Sequence, residues 1–448
     1  MTTFLRYLAF LLAFIAPPVV AGAAGAIRTM AAMHATSDAA PPSAADAGAT
    51  HDPDKPTAVV VLGANGAQVT DVLAPYEVLA ATGAFNLYTV APEPRPVPLT
   101  GGLDLVPDLT FAELDRRLDG AADLVVVPAL PDVGEPSTAP VTAWLRRHAA
   151  RRGGLLLSVC NGGQVLASTG LLDGRDATSH WTRIASLEDR YPQVRWVRGT
   201  RYVEDGDVIT TGGVLSGVDG SLRAVERLLG AAAARDAATA IAWPYHSPGT
   251  PASMPAARFA TADAIVALNA YRWSPPTFGV VLTDDVGEIE LASAFDTFGG
   301  ESLVARTVAV GTSREPVSSR HGLTFVPRSD LHGAAPRLDH LLVPGADAAR
   351  LRDADLAAHA TAEHGLTPQY LHDHPGFPFD AALRSLARTL DVPTARWTAK
   401  TLEYPAAGLD LTGPAWPWPL ALRPLALGLA GLAAAVRLDA VLRARRQA

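Results

Sequence analysis

The only cysteine in this chain, Cys160, closes the apolar run Leu155-Leu156-Leu157-Ser158-Val159 and is followed by Asn161-Gly162-Gly163-Gln164. A strand that ends on one reactive residue and turns sharply into a glycine-bearing helix start is the geometry a nucleophile needs. The turn exposes the side chain, and the next main-chain N–H groups point to where an oxyanion develops. A helix N-terminus also favours thiolate over thiol, which lowers a cysteine's pKa. A lone cysteine after an apolar strand is equally a small buried hydrophobe. Residue types alone therefore leave Cys160 as either an inert thiol or a chemical one. His372-Asp373-His374 offers three metal-ligating side chains in a row, but two histidines one residue apart diverge on a helix and loop triplets are ordinarily solvated, so no metal is expected. Gly63-Ala64-Asn65-Gly66 and Gly212-Gly213 read as turns at strand ends, because no Lys-Ser/Thr follows to complete a phosphate loop. Glu77 and Asp296 are read as capping or pairing within their own helices.

The elements that must hold Cys160 alternate. Val59–Leu62 is a short β-rich run, followed by a turn and a helical pattern over Asp71–Ala81. Phe85–Val90 and Leu124–Val127 are further strands, Trp144–Arg152 is helical, Leu155–Val159 is another buried strand, and Gly162–Ser168 opens a helix. Continuously apolar strands alternating with helices predict a parallel sheet covered on both faces, where function collects at the carboxyl ends of the strands. Cys160 directly follows one such end.

The pattern then repeats. Residues 278–282 echo 58–62, residues 287–299 echo 67–83 with Glu290 against Asp71 and Asp296 against Glu77, residues 321–327 echo 101–107, and residues 340–347 echo 124–132. Four blocks in the same order point to duplication, with a second copy that lacks a cysteine elbow. The tail 379–405 is expected to complete that copy as a helix followed by a strand, in preference to a helix-turn-helix, since an isolated unit with little surplus basic charge makes a weak DNA reader.

At 448 residues and 48% hydrophobic content the chain is long enough for two ordinary domains. A formal net charge of -8 argues against a nucleic-acid partner, and one cysteine excludes an intrachain disulfide. Arg6 precedes an apolar run from Tyr7 to Ile27, and a Pro/Ala/Ser/Asp-rich stretch follows it. Such a run is either a cleaved signal peptide or a retained anchor. Residues Ala415–Val436 are again apolar, open with Trp416 and Trp418, and lead into Arg437, Arg443, Arg445 and Arg446. That reads as a membrane helix with an aromatic belt outside and positive charge inside, Arg423 snorkelling to the outer headgroups.

Against this background four segments resemble the DJ-1/PfpI family of the class I glutamine amidotransferase-like fold. VCNGGQVLASTGLLDGRDATSHW (159–181) is similar to the family's cysteine elbow, its helix and the loop to a histidine, in the variant found in isonitrile hydratases and in the sensor domains of AraC-type regulators. DVLAPYEVL (71–79) resembles its acidic segment, VVVP (125–128) the strand ending in a Pro-Gly-Gly loop, and 202–230 the closing hairpin and helix.

The resemblance implies an α/β architecture of two tandem flavodoxin-like parallel-sheet sandwiches, the second degenerate, flanked by membrane segments. The implied layout is 1–27 signal or anchor, 28–56 disordered linker, 57–230 elbow-bearing domain, 231–276 connector, 277–405 second copy, 415–436 transmembrane helix and 437–448 basic cytoplasmic tail. Cys160 would be the nucleophile or oxidisable thiol, Asp71 a protonated partner beside it, and His180 a histidine near the thiol. Main-chain N–H groups of Asn161, Gly162 and Ala129 would hold an anion. Asn161 stands where the protease-like branch has a histidine, and Pro128-Ala129-Leu130 replaces the Pro-Gly-Gly turn, so a peptidase-type Cys-His pair is not expected. The function implied is a cofactor-independent cysteine hydrolase or hydratase for a small electrophile, on the periplasmic side of a bacterial inner membrane. The alternative is a non-catalytic ligand-sensing module related to the AraC-type sensors. The partners expected are a small molecule and the membrane, no nucleic acid, and either a second copy of the chain or an internal pseudo-dimer.

Overall fold

The computed structural model describes residues 3–33, 51–118, 120–151, 154–246, 248, 253–353, 356, 360 and 365–447, so most of the expected linker lies outside the described residues. The first half carries β1 (Thr57–Val61), β2 (Asn86–Ala91), β3 (Val97–Leu99), β4 (Leu103–Val106), β5 (Leu109–Thr110), β6 (Leu124–Val127), β7 (Leu155–Ser158), β8 (Asp176–Ala177), β9 (Arg195–Trp196), β10 (Tyr202–Asp205) and β11 (Val208–Thr211). Seven of them form one sheet in the order β10-β11-β7-β6-β1-β2-β5, parallel throughout except for the β10–β11 hairpin. Strand β1 lies inside it between β6 and β2 and is wholly buried, as a sheet covered on both faces requires.

The second half contributes β12 (Thr277–Val281), β13 (Arg306–Gly311), β14 (Val317–Ser318), β15 (Thr324–Val326), β16 (Ser329–Asp330), β17 (His340–Val343) and β18 (Pro368–Tyr370). Five of these make a second, all-parallel sheet, β16-β13-β12-β17-β18. Strand β12 stands to β13 and β17 as β1 stands to β2 and β6, in matching register.

Two features weld the halves together. Strand β4 pairs antiparallel with β15, so the short hairpins of both halves merge into one sheet, β14-β15-β4-β3. The helices Val69–Ala80 and Glu288–Phe295 pack face to face, and every residue of the first from Val69 to Leu79 is buried. One continuous apolar core contains β1, both of these helices, and Phe295, Phe298 and Phe379 of the second half. Glu77 and Asp296 do not act within their own helices. The Glu77 carboxylate accepts from the Ile289 N–H at the start of the opposite helix, and Asp296 accepts from the Thr70 hydroxyl (2.6 Å) and the Gln68 amide (3.0 Å). Each helix is thus held by a carboxylate of the other half, where the orphan N–H groups and positive end of a helix favour an anion.

The tail departs from expectation. Residues 379–405 form two helices, Pro378–Thr389 and Val392–Thr401, not a helix and a strand. Asp391 caps the second, its side chain accepting from the Thr394 N–H at 2.7 Å, and Pro393 sits in the first turn where its missing N–H does no harm. This cap-and-proline start restarts a helix where β-branched residues alone suggested a strand. The chain leaves it through Glu403, at φ 51.

Helices Thr3–Met33 and Trp418–Gln447 are each long and apolar enough to cross a membrane, with mean hydropathy 2.1 and 1.8 over their most apolar stretches. They pack on each other, and Arg6 pairs with Asp439 at 3.3 Å. Arg423 is not free to snorkel: it donates to the Tyr271 carbonyl (2.6 Å) and lies over the Trp273 ring.

Candidate active site around Cys160

Cys160 sits two residues beyond the end of β7 with φ at 54, a left-handed conformation that costs a non-glycine residue of order 1–3 kcal/mol. Neighbours hold it there. Its N–H donates to Thr211 Oγ1 (3.4 Å), and its carbonyl accepts from Ser179 Oγ (2.9 Å). The turn must be glycine at 162, because a Cβ there would run into the Val127 carbonyl on neighbouring β6. The elbow is therefore present, and helix Gly162–Thr169 starts from it.

The thiol's electrostatics run opposite to the expectation of a stabilised thiolate. Burial pushes Cys160 well above the ordinary thiol range, and the charges of Asp71, Glu301 and Glu403 push the same way; only the Asn161 N–H, donating to sulfur, opposes them. Desolvation of a fully buried thiol outweighs what the half-charge of one short helix recovers. At neutral pH the group is a thiol.

Asp71 is fully buried. Its Oδ2 accepts from the Ala129 N–H (3.0 Å), while Oδ1 has no hydrogen-bond partner among the described residues. Burial raises its pKa well above the carboxylate range, with Asp296 and Glu301 adding to the shift, which favours the neutral acid. Of the three main-chain donors expected to face an anion, two are committed elsewhere. Ala129 N–H serves Asp71, and Gly162 N–H serves the Val159 carbonyl (2.7 Å). Asn161 N–H alone faces the sulfur.

His180 is buried beside the elbow, but both ring nitrogens are engaged away from the thiol. Nε2 donates to the Thr401 carbonyl (2.9 Å), which fixes the tautomer, and Nδ1 accepts from the Thr182 hydroxyl (2.6 Å). Burial lowers its pKa to about 4, so the ring is neutral. It braces the second half against the elbow and offers no nitrogen to Cys160.

Sequence reasoning did not assign the acidic residues that the other half brings toward Cys160 and Asp71. Asp296 and Glu301 share the Gln68 amide (3.0 and 3.3 Å). Burial raises Asp296 to about 6, Glu301 to about 8 and Glu403 to about 7. Asp296 lies in the repeated block but was read only as a helix residue, Glu301 and Glu403 lie in no motif, and none is near Cys160 in sequence; the packing of the halves brings them there.

The second sheet has its own version of this point. Val127 pairs with Ser158 and Val343 pairs with Tyr370 in the same register, so the position two beyond the strand is Cys160 in one half and His372 in the other. His372 is buried, accepts from the Gly345 N–H at Nδ1 (2.9 Å) and bonds Ser293 through Nε2 (3.2 Å). His374 is exposed, and its nearest partner is the Asp373 carbonyl. The triplet 372–374 therefore does not converge on a metal. Glu77, Glu288 and His321 do offer ligand atoms within 4.8 Å of one another across the half–half interface. They are already satisfied, with His321 Nδ1 at 2.7 Å from Glu288 and Glu77 on the Ile289 N–H.

A parallel α/β sheet with a strained cysteine elbow and a buried acid beside it defines a cysteine-elbow protein of the DJ-1/ThiJ fold. The sequence profile of the DJ-1/PfpI family matches residues 57–226. Isonitrile hydratase of Pseudomonas putida is 32% identical over 164 residues, 36% of this chain and 68% of that protein. The HTH-type transcriptional regulator CdhR of Pseudomonas aeruginosa is 30% identical over 135 residues, 30% of this chain and 38% of the regulator. Among solved structures, a ThiJ/PfpI family protein from Pseudomonas syringae is 26% identical, with 49% of this chain and 89% of that one covered and a TM-score of 0.37. The chain belongs to the DJ-1/PfpI family.

Proposed function

We propose that the chain is a membrane-anchored enzyme of the DJ-1/PfpI type, using Cys160 with Asp71 to hydrate or hydrolyse a small electrophile without a cofactor. The observation that carries this reading is the elbow itself: a strained cysteine between strand and helix, beside a buried carboxyl with one oxygen free. A neutral thiol beside a neutral Asp71 carboxyl suits a substrate that takes up a proton as sulfur adds to it. With an isonitrile, the class named for the Pseudomonas putida relative, sulfur bonds to the terminal carbon as the Asp71 carboxyl proton passes to that carbon and the S–H proton replaces it on the carboxylate, giving a thioimidate. Water then adds to the thioimidate carbon, the C–S bond breaks, and the water protons end on nitrogen and on sulfur, which releases a formamide and restores the thiol. Asn161 N–H is the donor available to developing negative charge, and His180 acts as a positioning residue through Thr401.

In this reading residues 57–230 are the working copy, 231–276 a connector, and 277–405 a degenerate copy with His372 in the cysteine's place. The terminal helices hold the body on the periplasmic face of a bacterial inner membrane, with the basic tail 437–448 in the cytoplasm.

A second reading, a non-catalytic ligand sensor like the sensor half of an AraC-type regulator, is favoured by the commitment of the Ala129 and Gly162 N–H groups. Hydration of cyclohexyl isocyanide to its formamide separates the two. Cys160→Ser and Asp71→Asn are each expected to slow it by about 100-fold or more. Turnover unchanged by either substitution, or absent from the wild type, would remove the enzyme and leave the sensor.

A further inference from the structure

Glu403 is the least explained residue of the second half. It leaves the helix Val392–Thr401 in the left-handed region, at φ 51, a strained conformation for a glutamate. Its carboxyl is buried against β11's exit: Ser216 Oγ donates to Oε2 (2.6 Å), and the Gly213 and Trp181 N–H groups point at it. Oε1 is buried and has no hydrogen-bond partner among the described residues. A buried carboxyl oxygen left unmatched is costly unless something else visits it.

The surroundings say where that visitor comes from. Glu403 lines a cleft together with Ser179, Trp181, Arg198 and Met254. Ser179 is the residue whose hydroxyl holds the Cys160 carbonyl, and Thr211, which accepts from the Cys160 N–H, directly precedes Gly212-Gly213. A Cβ at Gly213 would come within 2.9 Å of the Glu403 carboxyl carbon, so the glycine pair leaves the space this side chain fills. Glu403 is thus shared between the cleft and the thiol, whose ionisation its charge already opposes. Three nearby cations are held by carboxylates of their own, while exposed Arg183 lies close enough to lower Glu301. Arg198 is held by Glu188 (2.7 Å), Arg201 by Asp219 (3.1 Å), and Lys400 by Asp263.

Taking Cys160 as the working group, as above, we propose that Glu403 is the charge-selecting gate of its pocket, contributed by the second half of the chain and facing the entry cleft. It admits small neutral or cationic electrophiles and turns away anionic ones, so the substrate class carries no carboxylate, sulfonate or phosphate. The site is composite, with its nucleophile in one half and its selectivity in the other.

The test uses the full chain at pH 8.5, above the value of about 7 to which burial lifts Glu403, and two alkylating probes of nearly equal size, neutral iodoacetamide and anionic iodoacetate. Cys160 is the only cysteine, so intact mass reads its labelling directly. In the wild type the iodoacetamide-to-iodoacetate rate ratio should exceed that of the urea-unfolded chain by roughly tenfold, as a like charge in a poorly solvated passage dictates. Glu403→Gln should bring the ratio down at least severalfold by raising the iodoacetate rate, and Glu403→Asp should keep it high. Met254→Glu, at the half-exposed outer wall of the cleft, does not depend on the core and should slow iodoacetate alone. A ratio that ignores both positions, or a native thiol refractory to both probes, overturns the gate. Charge selection without isonitrile turnover keeps the gate and removes the hydratase reading; turnover without charge selection does the reverse.

Discussion

The acids around Cys160 make a prediction that needs no substrate. Burial raises Glu301 to about 8 and Glu403 and Glu77 to about 7. A carboxyl whose folded pKa is raised contributes stability that is present below the unfolded value and lost as pH climbs through the folded one. His321 is raised by Glu288 and acts in the same direction. The lowered histidines, His148, His180, His246, His340 and His372, act the opposite way, but only until the unfolded imidazoles have lost their protons, by about pH 7.5. Above about pH 7.5 the terms therefore share a sign, and the melting temperature of the full chain should fall from there to pH 8.5. Glu301→Gln should flatten the slope; a melting temperature that rises or holds level would show that these carboxyls are ionised in the fold. At this scale the sequence marked Cys160 and Asp71 because chain neighbours build an elbow and a helix face. It could not mark Glu301 or Glu403, whose roles come from contacts across some 140 to 240 residues of chain, nor could it foresee that burial would outweigh the helix terminus at the thiol.

Elements were legible where their cause is local. Strands β1, β6 and β7 follow from continuous apolar runs, and the hairpin β10–β11 follows from its turn. The tail was misread because one side chain, the Asp391 cap, outweighs the strand propensity of its neighbours by starting a new helix. The terminal helices raise a question that composition left even, between cleavage and retention of the first. Under the membrane-anchored reading proposed above, their packing predicts retention: Thr3–Met33 lies along Trp418–Gln447, Arg6 pairs with Asp439, and Tyr271 of the body donates to the Pro18 carbonyl (2.9 Å). A segment destined for removal has no reason to match a partner helix and the body at once. Intact mass of the protein extracted from membranes should therefore include residues 1–33. A mature terminus beyond Ala23, where the small-residue triplet lies, would contradict this and leave the C-terminal helix as the sole anchor.

At the scale of the whole molecule the two halves meet as an isologous pair would. In the repeat register Thr70 matches Ile289 and Glu77 matches Asp296, and the observed contacts are Glu77 to Ile289 and Asp296 to Thr70. Residue i meets j while the equivalent of j meets the equivalent of i, the signature of a two-fold interface. Under the proposed reading of two copies, a chain that carries its own partner could let one copy lose its cysteine, because that copy still supplies contacts to the other. The dependence should be measurable. Residues 57–230 expressed alone would expose the helix Val69–Ala80, which is buried on all sides in the full chain, together with the unpaired edge of β4. Burial at about 25 cal/mol per Å² of apolar surface drives such a face to find cover. The fragment should therefore sediment as a dimer, one copy standing in for the missing half, or fail to fold. A monodisperse monomer that unfolds cooperatively near the temperature of the full chain would mean that the second half is an appendage rather than half of the site.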